Sequence, residues 1–216
     1  MHSSNDDLDI YVKDVALLPL TLRRLPLQSF KIVMKPGVQT IREAIDQANW
    51  STIWVQLTVL VLTASVVEYL FYLVSALLQH LSVFESFWSF QKQTSVALNV
   101  LMMPLFALVS IVVLHWMARL LRGQGAFLVM LYTNLLFQVP LLLLTIIISS
   151  ILLKGETWLI IARNTVLFAI QLYIAVLQVF TLRAVHGLSP RRAVTGVLLL
   201  IVLFLPLALL FGVIIL

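Results

Sequence analysis

Cysteine is absent from this chain of 216 residues, and charged residues are scarce. The absence of cysteine excludes a disulfide framework, a thiolate nucleophile and a zinc or iron–sulfur site built on cysteine. Only 11% of the residues are charged, whereas an ordinary soluble domain has about 25%. Hydrophobic residues make up 62% of the chain, and the mean hydropathy is +1.07. A water-soluble fold could not hide so much apolar surface, so the composition indicates an integral membrane protein.

Long uncharged runs indicate where the chain crosses the bilayer. No Asp, Glu, Lys or Arg occurs between Ala126 and Leu153 or between Ala193 and Leu216, and about 20 apolar residues suffice for one transmembrane helix. Lipid offers no water to unpaired backbone groups, and solid apolar runs lack the alternation of barrel strands. We therefore predict an all-α, polytopic transmembrane helical bundle. Its five spans cover about residues 53–73, 95–116, 126–153, 158–182 and 193–216.

The region before the first span differs from the rest of the chain. Residues 1–51 are predicted to form a cytosolic N-terminal segment with short amphipathic helices, and residues 52–216 the membrane domain. Residues 17–34 mix apolar and basic side chains, as do segments that lie on anionic leaflets. Pro19 and Pro26 interrupt any long helix there, and a partly ordered cytosolic lead-in fits the same composition equally well.

A short helix is predicted directly before the first span. Thr40 and Glu43 have the spacing of a capping box, in which two side chains satisfy free N–H groups at a helix start. This spacing predicts a helix over residues 41–49.

Loop charges predict the orientation in the membrane. Five spans place the two termini on opposite sides. If the N-terminus is cytosolic, that side carries every Lys and Arg except Lys92, Lys154 and Arg163. Because cytosolic loops are enriched in basic residues, we predict an N-in/C-out topology. The net charge of +5 does not indicate nucleic-acid binding, because the basic residues are scattered through short loops.

The sequence contains no catalytic or metal-binding constellation. The Gly-Gln-Gly segment at residues 123–125 is too short for a phosphate cradle and follows no predicted strand, so a tight turn explains it better. His80, His115 and His186 are dispersed, without an i, i+4 partner or a carboxylate at ligand spacing. We therefore expect no enzyme activity, no catalytic residue, no metal and no cofactor.

Two charged residues, Glu68 and Arg163, fall within predicted spans at about the same depth below the outer interface. An unpaired charge at the bilayer centre costs about 2.5–3.5 kcal/mol, so an intramembrane ion pair between the first and fourth spans is favoured. The alternative is that Arg163 extends to the headgroups while Glu68 is protonated or hydrated.

Three segments resemble the Yip domain family, small five-span proteins named for their interaction with Ypt/Rab GTPases. Residues 35–45 (KPGVQTIREAI) are similar to the family's proline-then-helix segment before the first span. Residues 123–127 (GQGAF), followed by Tyr132 and Pro140, are similar to its glycine-rich turn and the span after it. Residues 182–193 (LRAVHGLSPRRA) are similar to its loop between the fourth and fifth spans, as found in prokaryotic members.

The resemblance covers about residues 35–216 and implies a prokaryotic-type, multi-pass protein of the bacterial plasma membrane. Eukaryotic relatives act in vesicle trafficking and membrane shaping through GTPases and through one another. Because this chain lacks the long N-terminal cytosolic region of the trafficking members, we do not expect a Rab-type GTPase partner. The family supplies no catalytic residue.

These observations predict a non-enzymatic scaffold or helper in membrane organisation or complex assembly. Its expected partners are membrane lipids and other membrane proteins or further copies of itself, and not nucleic acid. The candidate contact residues lie in two predicted cytosolic loops: Arg119, Arg122, Gly123, Gly125, Arg183, His186, Arg191 and Arg192.

The alternative function is that of a transporter or channel-like subunit. Polar side chains within the spans would then line a path for a solute, although hydrogen bonds between helices account for the same residues without transport. These side chains are Glu68, Asn99, Asn134, Gln138, Gln171 and Gln178.

Overall fold

A computed structural model describes residues 24–78, 94–151 and 157–210 of the chain. The described part of the fold is built from helices. Two short helices, α1 (residues 24–34) and α2 (Val38–Ile45), come first. The long helices are α3 (Trp50–Leu78), α4 (Thr94–Leu120), α5 (Phe127–Ile151), α6 (Thr157–His186) and α7 (Pro190–Leu210). These ranges contain no strand, so the predicted all-α class is confirmed for the described part of the chain.

Three of the described helices contain segments that are long and apolar enough to cross a membrane. The segments are Trp50–Phe71 in α3, Phe127–Ser149 in α5 and Thr157–His186, which is the whole of α6. A shorter apolar segment, Pro104–Leu120, belongs to α4. These four segments overlap the first four predicted spans. Parts of the predictions lie outside the described residues, namely residues 1–23 and the span ends at 152–153 and 211–216.

Helix α5 lies at the centre of the bundle. It packs against α2, α3, α4 and α6, while α7 packs against α4 and α6. Every residue from Leu131 to Val139 is buried, and Tyr132 and Phe137 are among the largest fully buried side chains. Along this stretch the neighbouring helices therefore cover α5 on all sides.

Exposed aliphatic side chains follow the outer face of the surrounding helices. On α3 they recur at Leu62, Val66, Leu70 and Val74, which is the spacing of one helix face. A soluble monomer rarely exposes a continuous apolar stripe of this length. The stripe therefore supports a membrane environment around the bundle.

The two short helices dock on the side of the bundle. Helix α2 packs against α5 and α6, and two tyrosines from these long helices hold α1. The Tyr132 hydroxyl donates a hydrogen bond to Gln28 Oε1 at 3.0 Å, and the Tyr173 hydroxyl donates to the carbonyl of Val33. The N-terminal segment is therefore attached to the membrane domain at least from residue 24 onward.

The predicted capping box at the start of α2 is wrong. Gly37 occupies the N-cap and makes no side-chain cap hydrogen bond. Thr40 Oγ1 donates instead to the carbonyl of Lys35 at 3.0 Å, and Glu43 forms an ion pair with Lys31 at 2.6 Å. The helix begins one turn earlier than the spacing predicts, so Thr40 lies inside the first turn and cannot act as the cap.

A side-chain cap is found at the start of α3. Helix α2 ends at Ile45 and not at residue 49. Asn49 Oδ1 accepts a hydrogen bond from the N–H of Thr52 at 2.7 Å, which satisfies one of the free donors at the helix start. Asn49 therefore separates the docked segment from the first apolar helix.

Candidate functional site

The predicted contact residues meet at one end of the bundle. The second predicted loop is shorter than expected, because α6 continues to His186 and α7 begins at Pro190, so Arg183 and His186 lie in α6 and Arg191 and Arg192 in α7. The loop between α4 and α5 lies against the last turn of α6. The Gly125 N–H donates a hydrogen bond to His186 Nδ1 at 3.1 Å. We call this contact the loop junction and define it by Gly123, Gly125, Val185 and His186.

Backbone hydrogen bonds explain how α4 ends at the loop junction. The N–H of Gly123 donates to the carbonyl of Ala118 at 2.8 Å, and the N–H of Arg122 donates to that of Arg119 at 3.0 Å. This pair of bonds forms a Schellman motif. Arg122 has a φ of 68°, a left-handed conformation that glycine usually takes in this position. The chain therefore reverses directly before Gly123.

Gly123 and Gly125 are required because α6 approaches the loop closely. A Cβ on Gly123 would lie 2.8 Å from the carbonyl oxygen of Ala118 and 2.8 Å from both Cβ and Nδ1 of His186. A Cβ on Gly125 would lie 2.5 Å from the carbonyl oxygen of Val185. Nonbonded atoms do not pack at these distances, so only glycine allows this contact. The predicted tight turn thus also has a packing role.

His186 is the polar centre of the loop junction. Its Nδ1 accepts from Gly125, and its Nε2 lies 3.1 Å from Met130 Sδ. Because Nδ1 accepts, a neutral ring carries its proton on Nε2 and can donate it to the thioether. The His186 carbonyl accepts from the N–H of Gln124 at 3.4 Å, and Gly187, with a φ of 66°, follows the last turn of α6. With both ring nitrogens engaged and 4% of its surface exposed, His186 connects α5 and α6.

The structure does not place Gly123, Gly125 or His186 on the surface. All three are buried, so their predicted contacts with lipid or a partner are wrong. The physical reason is that the loop between α4 and α5 and the last turn of α6 cover one another. Their glycines and imidazole are used inside the protein.

His115 of α4 packs against the same imidazole. The ring centroids of His115 and His186 are 5.0 Å apart, and Phe127 contacts His115 edge to face at 5.3 Å. These histidines are dispersed in the sequence because they lie on different helices, and residue spacing does not predict contacts between α4 and α6. Within the described ranges, no group of three or more His, Cys, Asp or Glu side chains could hold a metal ion.

Arginine side chains surround the loop junction. They lie near the end of α4, in the last turns of α6 and in the first turn of α7, and all are exposed except the half-buried Arg183. No Asp or Glu occurs between Glu85 and Glu156 or after Glu156, so these arginines have no acidic neighbours in sequence. We call the following residues the arginine rim: Arg119, Arg122, Arg183, Arg191 and Arg192.

The structure does not bring Glu68 and Arg163 together. Arg163 Nε donates to Asn164 Oδ1 at 3.2 Å, on the same helix. Helices α3 and α6 both pack on α5 and share no extensive interface. Among the described residues the ion pair that forms is Lys31–Glu43. Equal depth was therefore not enough to make the two intramembrane charges neighbours, because α5 lies between their helices.

The polar side chains proposed to line a path are distributed unevenly. Asn134, Gln138 and Gln178 are buried, Gln171 is exposed and Glu68 is half-buried. The side chain of Asn99 lies outside the described part of the structure.

Some of the buried amide groups lack a hydrogen-bond partner in the protein. Asn134 Nδ2 donates to the carbonyl of Met130 at 2.8 Å, but Asn134 Oδ1 and Gln138 Oε1 have no partner. Gln56 of α3, which is not among the predicted path residues, is buried, and neither its Nε2 nor its Oε1 has a partner. Such groups in a native interior call for an explanation, for which ordered water is one candidate.

The chain is similar to a known protein family over most of its length. A family model described as the Yip1 domain matches residues 30–212. The matched range includes the loop junction and all five long helices. No curated protein and no solved structure matches the chain.

Proposed function

Because the chain belongs to the Yip1 domain family, we propose that it is a non-enzymatic five-span membrane protein that helps to assemble or position other membrane components. The proposed contact surface is the arginine rim. We place the rim and the N-terminus on the cytosolic side of a bacterial plasma membrane and the C-terminus outside. Anionic headgroups and acidic surfaces of other membrane proteins, including copies of this chain, are the proposed partners.

Arg191 and Arg192 carry this proposal. They lie in the first turn of α7 and are exposed. Positive charge at a helix N-terminus opposes the helix dipole, which favours anions there by about 0.3–1 kcal/mol. Helix stability therefore does not explain these two residues, whereas a negatively charged group outside the protein would.

The proposed topology can be tested by labelling introduced cysteines, because the natural chain has none. The positions Gln124, Ser189 and Thr157 are exposed. We expect impermeant maleimide to label Q124C and S189C only from the cytosolic face and T157C only from the external face. Labelling of positions 124 and 157 from the same face would contradict the five-span arrangement.

The contact function can be tested by in-membrane photo-crosslinking from Ser189, next to the rim. Each basic residue near an anionic surface contributes about 1 kcal/mol, so R191Q/R192Q is expected to weaken rim contacts by about 30-fold. The variant R163Q removes a charge toward the other end of α6 and is the control, with crosslinks expected to persist. Crosslinks that are unchanged in R191Q/R192Q, while topology is preserved, would contradict a contact role for the rim.

A transporter or channel-like subunit is the second candidate. The observation that favours it is the set of unpartnered amide atoms on Gln56, Asn134 and Gln138 within the bundle. Flux of a small polar solute into proteoliposomes of the purified protein, reduced by Q138L and unaffected by R191Q/R192Q, would favour this function over the contact role.

A further inference from the structure

Helix α1 has two apolar faces, of which the bundle covers one. Leu25 and Ile32 are buried. Leu27, Phe30 and Met34 are 71%, 65% and 62% exposed. Their spacing places them together on one side of the helix, roughly opposite the buried pair. Exposed apolar residues at this spacing form a continuous surface, which requires a covering partner.

The charge around the outer face of α1 is positive. Arg24, Lys31 and Lys35 are exposed, and residues 24–35 contain no Asp or Glu. Lys31 is paired with Glu43, while Arg24 and Lys35 lie at the two ends of the helix. An apolar stripe flanked by basic residues fits the boundary between headgroups and acyl chains of an anionic leaflet.

Both tyrosines that bond to α1 lie in the half of the bundle at the loop-junction end. Tyr132, which bonds to Gln28, lies about 8 Å from the start of α5, and Tyr173, which bonds to Val33, lies about 20 Å from the end of α6. Exposed tryptophans occur near the helix ends, at Trp50 and Trp54 in the first turns of α3 and at Trp116 near the end of α4. Tryptophan is enriched at the membrane–water interface. The outer face of α1 therefore continues the lipid-facing surface of the bundle into the headgroup region.

We propose that Leu27, Phe30 and Met34 insert into the headgroup–acyl boundary of an anionic leaflet. In this arrangement one face of α1 packs on α5 and α6 and the other faces lipid. The sequence left open whether this segment lies on the leaflet or is a partly ordered cytosolic lead-in. The bonds from Tyr132 and Tyr173 hold α1 on the bundle and leave its apolar outer face uncovered by the protein. This inference rests on the membrane location of the protein and does not depend on the arginine rim.

The inference can be tested with spin labels in the full-length protein. The variants F30C and M34C place a label on the outer face, and Q39C places one on an exposed position of α2 as the matched control. The purified variants are reconstituted in phosphatidylcholine vesicles with and without phosphatidylglycerol. In the anionic vesicles, the ratio of oxygen to nickel-chelate collisions at positions 30 and 34 is expected to exceed that at position 39 by about tenfold.

Several results would overturn the inference. Equal nickel access at positions 30 and 39 would show that the outer face of α1 is in water. The labels could also be protected from both oxygen and the nickel chelate. If that protection disappears when the protein is diluted in lipid, the outer face of α1 contacts a second copy of the chain. Identical insertion in vesicles of phosphatidylcholine alone would show that insertion does not require anionic lipid. Because the measurement does not involve Arg191 or Arg192, its failure is distinguishable from failure of the rim contacts.

Discussion

Substitution of Gly125 by alanine is expected to lower the thermal unfolding midpoint of the purified protein by several degrees or more. The added Cβ would lie 2.5 Å from the carbonyl oxygen of Val185 and 2.7 Å from its Cγ1. Either the loop or the last turn of α6 must then move, which breaks the hydrogen bond from Gly125 to His186 Nδ1. Overpacking costs about 1–3 kcal/mol and an unpaired buried N–H about as much again, so we expect a loss of about 3 kcal/mol.

Gly37 provides the matched control for this experiment. A Cβ there would have Thr40 Oγ1 at 3.8 Å as its nearest neighbour, an ordinary contact. The φ of Gly37 is 179°, an extended conformation that alanine adopts readily. The variant G37A is expected to unfold within about 1 kcal/mol of the natural protein, since replacing an unstrained glycine alters mainly the unfolded chain. Equal losses in G125A and G37A, measured by circular dichroism in detergent, would contradict the packing role of Gly125.

The membrane class and the long helices could be predicted because they depend on properties of single segments. The uncharged run from Ala126 predicts one helix wherever that helix lies in the bundle, and α5 follows it closely. The capping box of α2 was predicted wrongly because Thr40 and Glu43 satisfy a local pattern, whereas the helix begins at Val38 with Gly37 at the N-cap. Glu43 pairs with Lys31 of α1, a contact between two helices that the local pattern does not contain.

The neighbours of each helix could not be predicted, because depth along a helix says nothing about direction around it. Glu68 and Arg163 have similar predicted depths, yet α5 separates their helices. His115 and His186 are far apart in sequence, yet their rings are in contact. The motif at residues 123–125 indicated a turn. The contact with α6 buries this turn, and no pattern within residues 123–125 reveals that contact.

Substitutions of His186 separate hydrogen bonding from volume in the loop junction. Asparagine places its Oδ1 near the position of His186 Nδ1 and can still accept from Gly125, but it is smaller than histidine. Glutamine is closer to histidine in volume, but its polar atoms extend toward the position of Nε2, near Met130. Since an unpaired buried N–H costs about 1–3 kcal/mol, we expect H186N to be more stable than H186Q by about 1 kcal/mol or more.

Hydrogen exchange in the loop between α4 and α5 provides the more specific measurement of the same substitutions. In H186N the amide of Gly125 keeps an acceptor, so the loop is expected to remain protected. In H186Q and in H186L that acceptor is lost, and exchange in the loop is expected to rise by about tenfold or more, the factor that corresponds to about 1.4 kcal/mol of local opening. If volume controls the junction, the order reverses and H186Q is the better-protected variant. That order would show that His186 acts mainly by filling space, and the hydrogen bond from Gly125 would then contribute little to holding α6 against the loop.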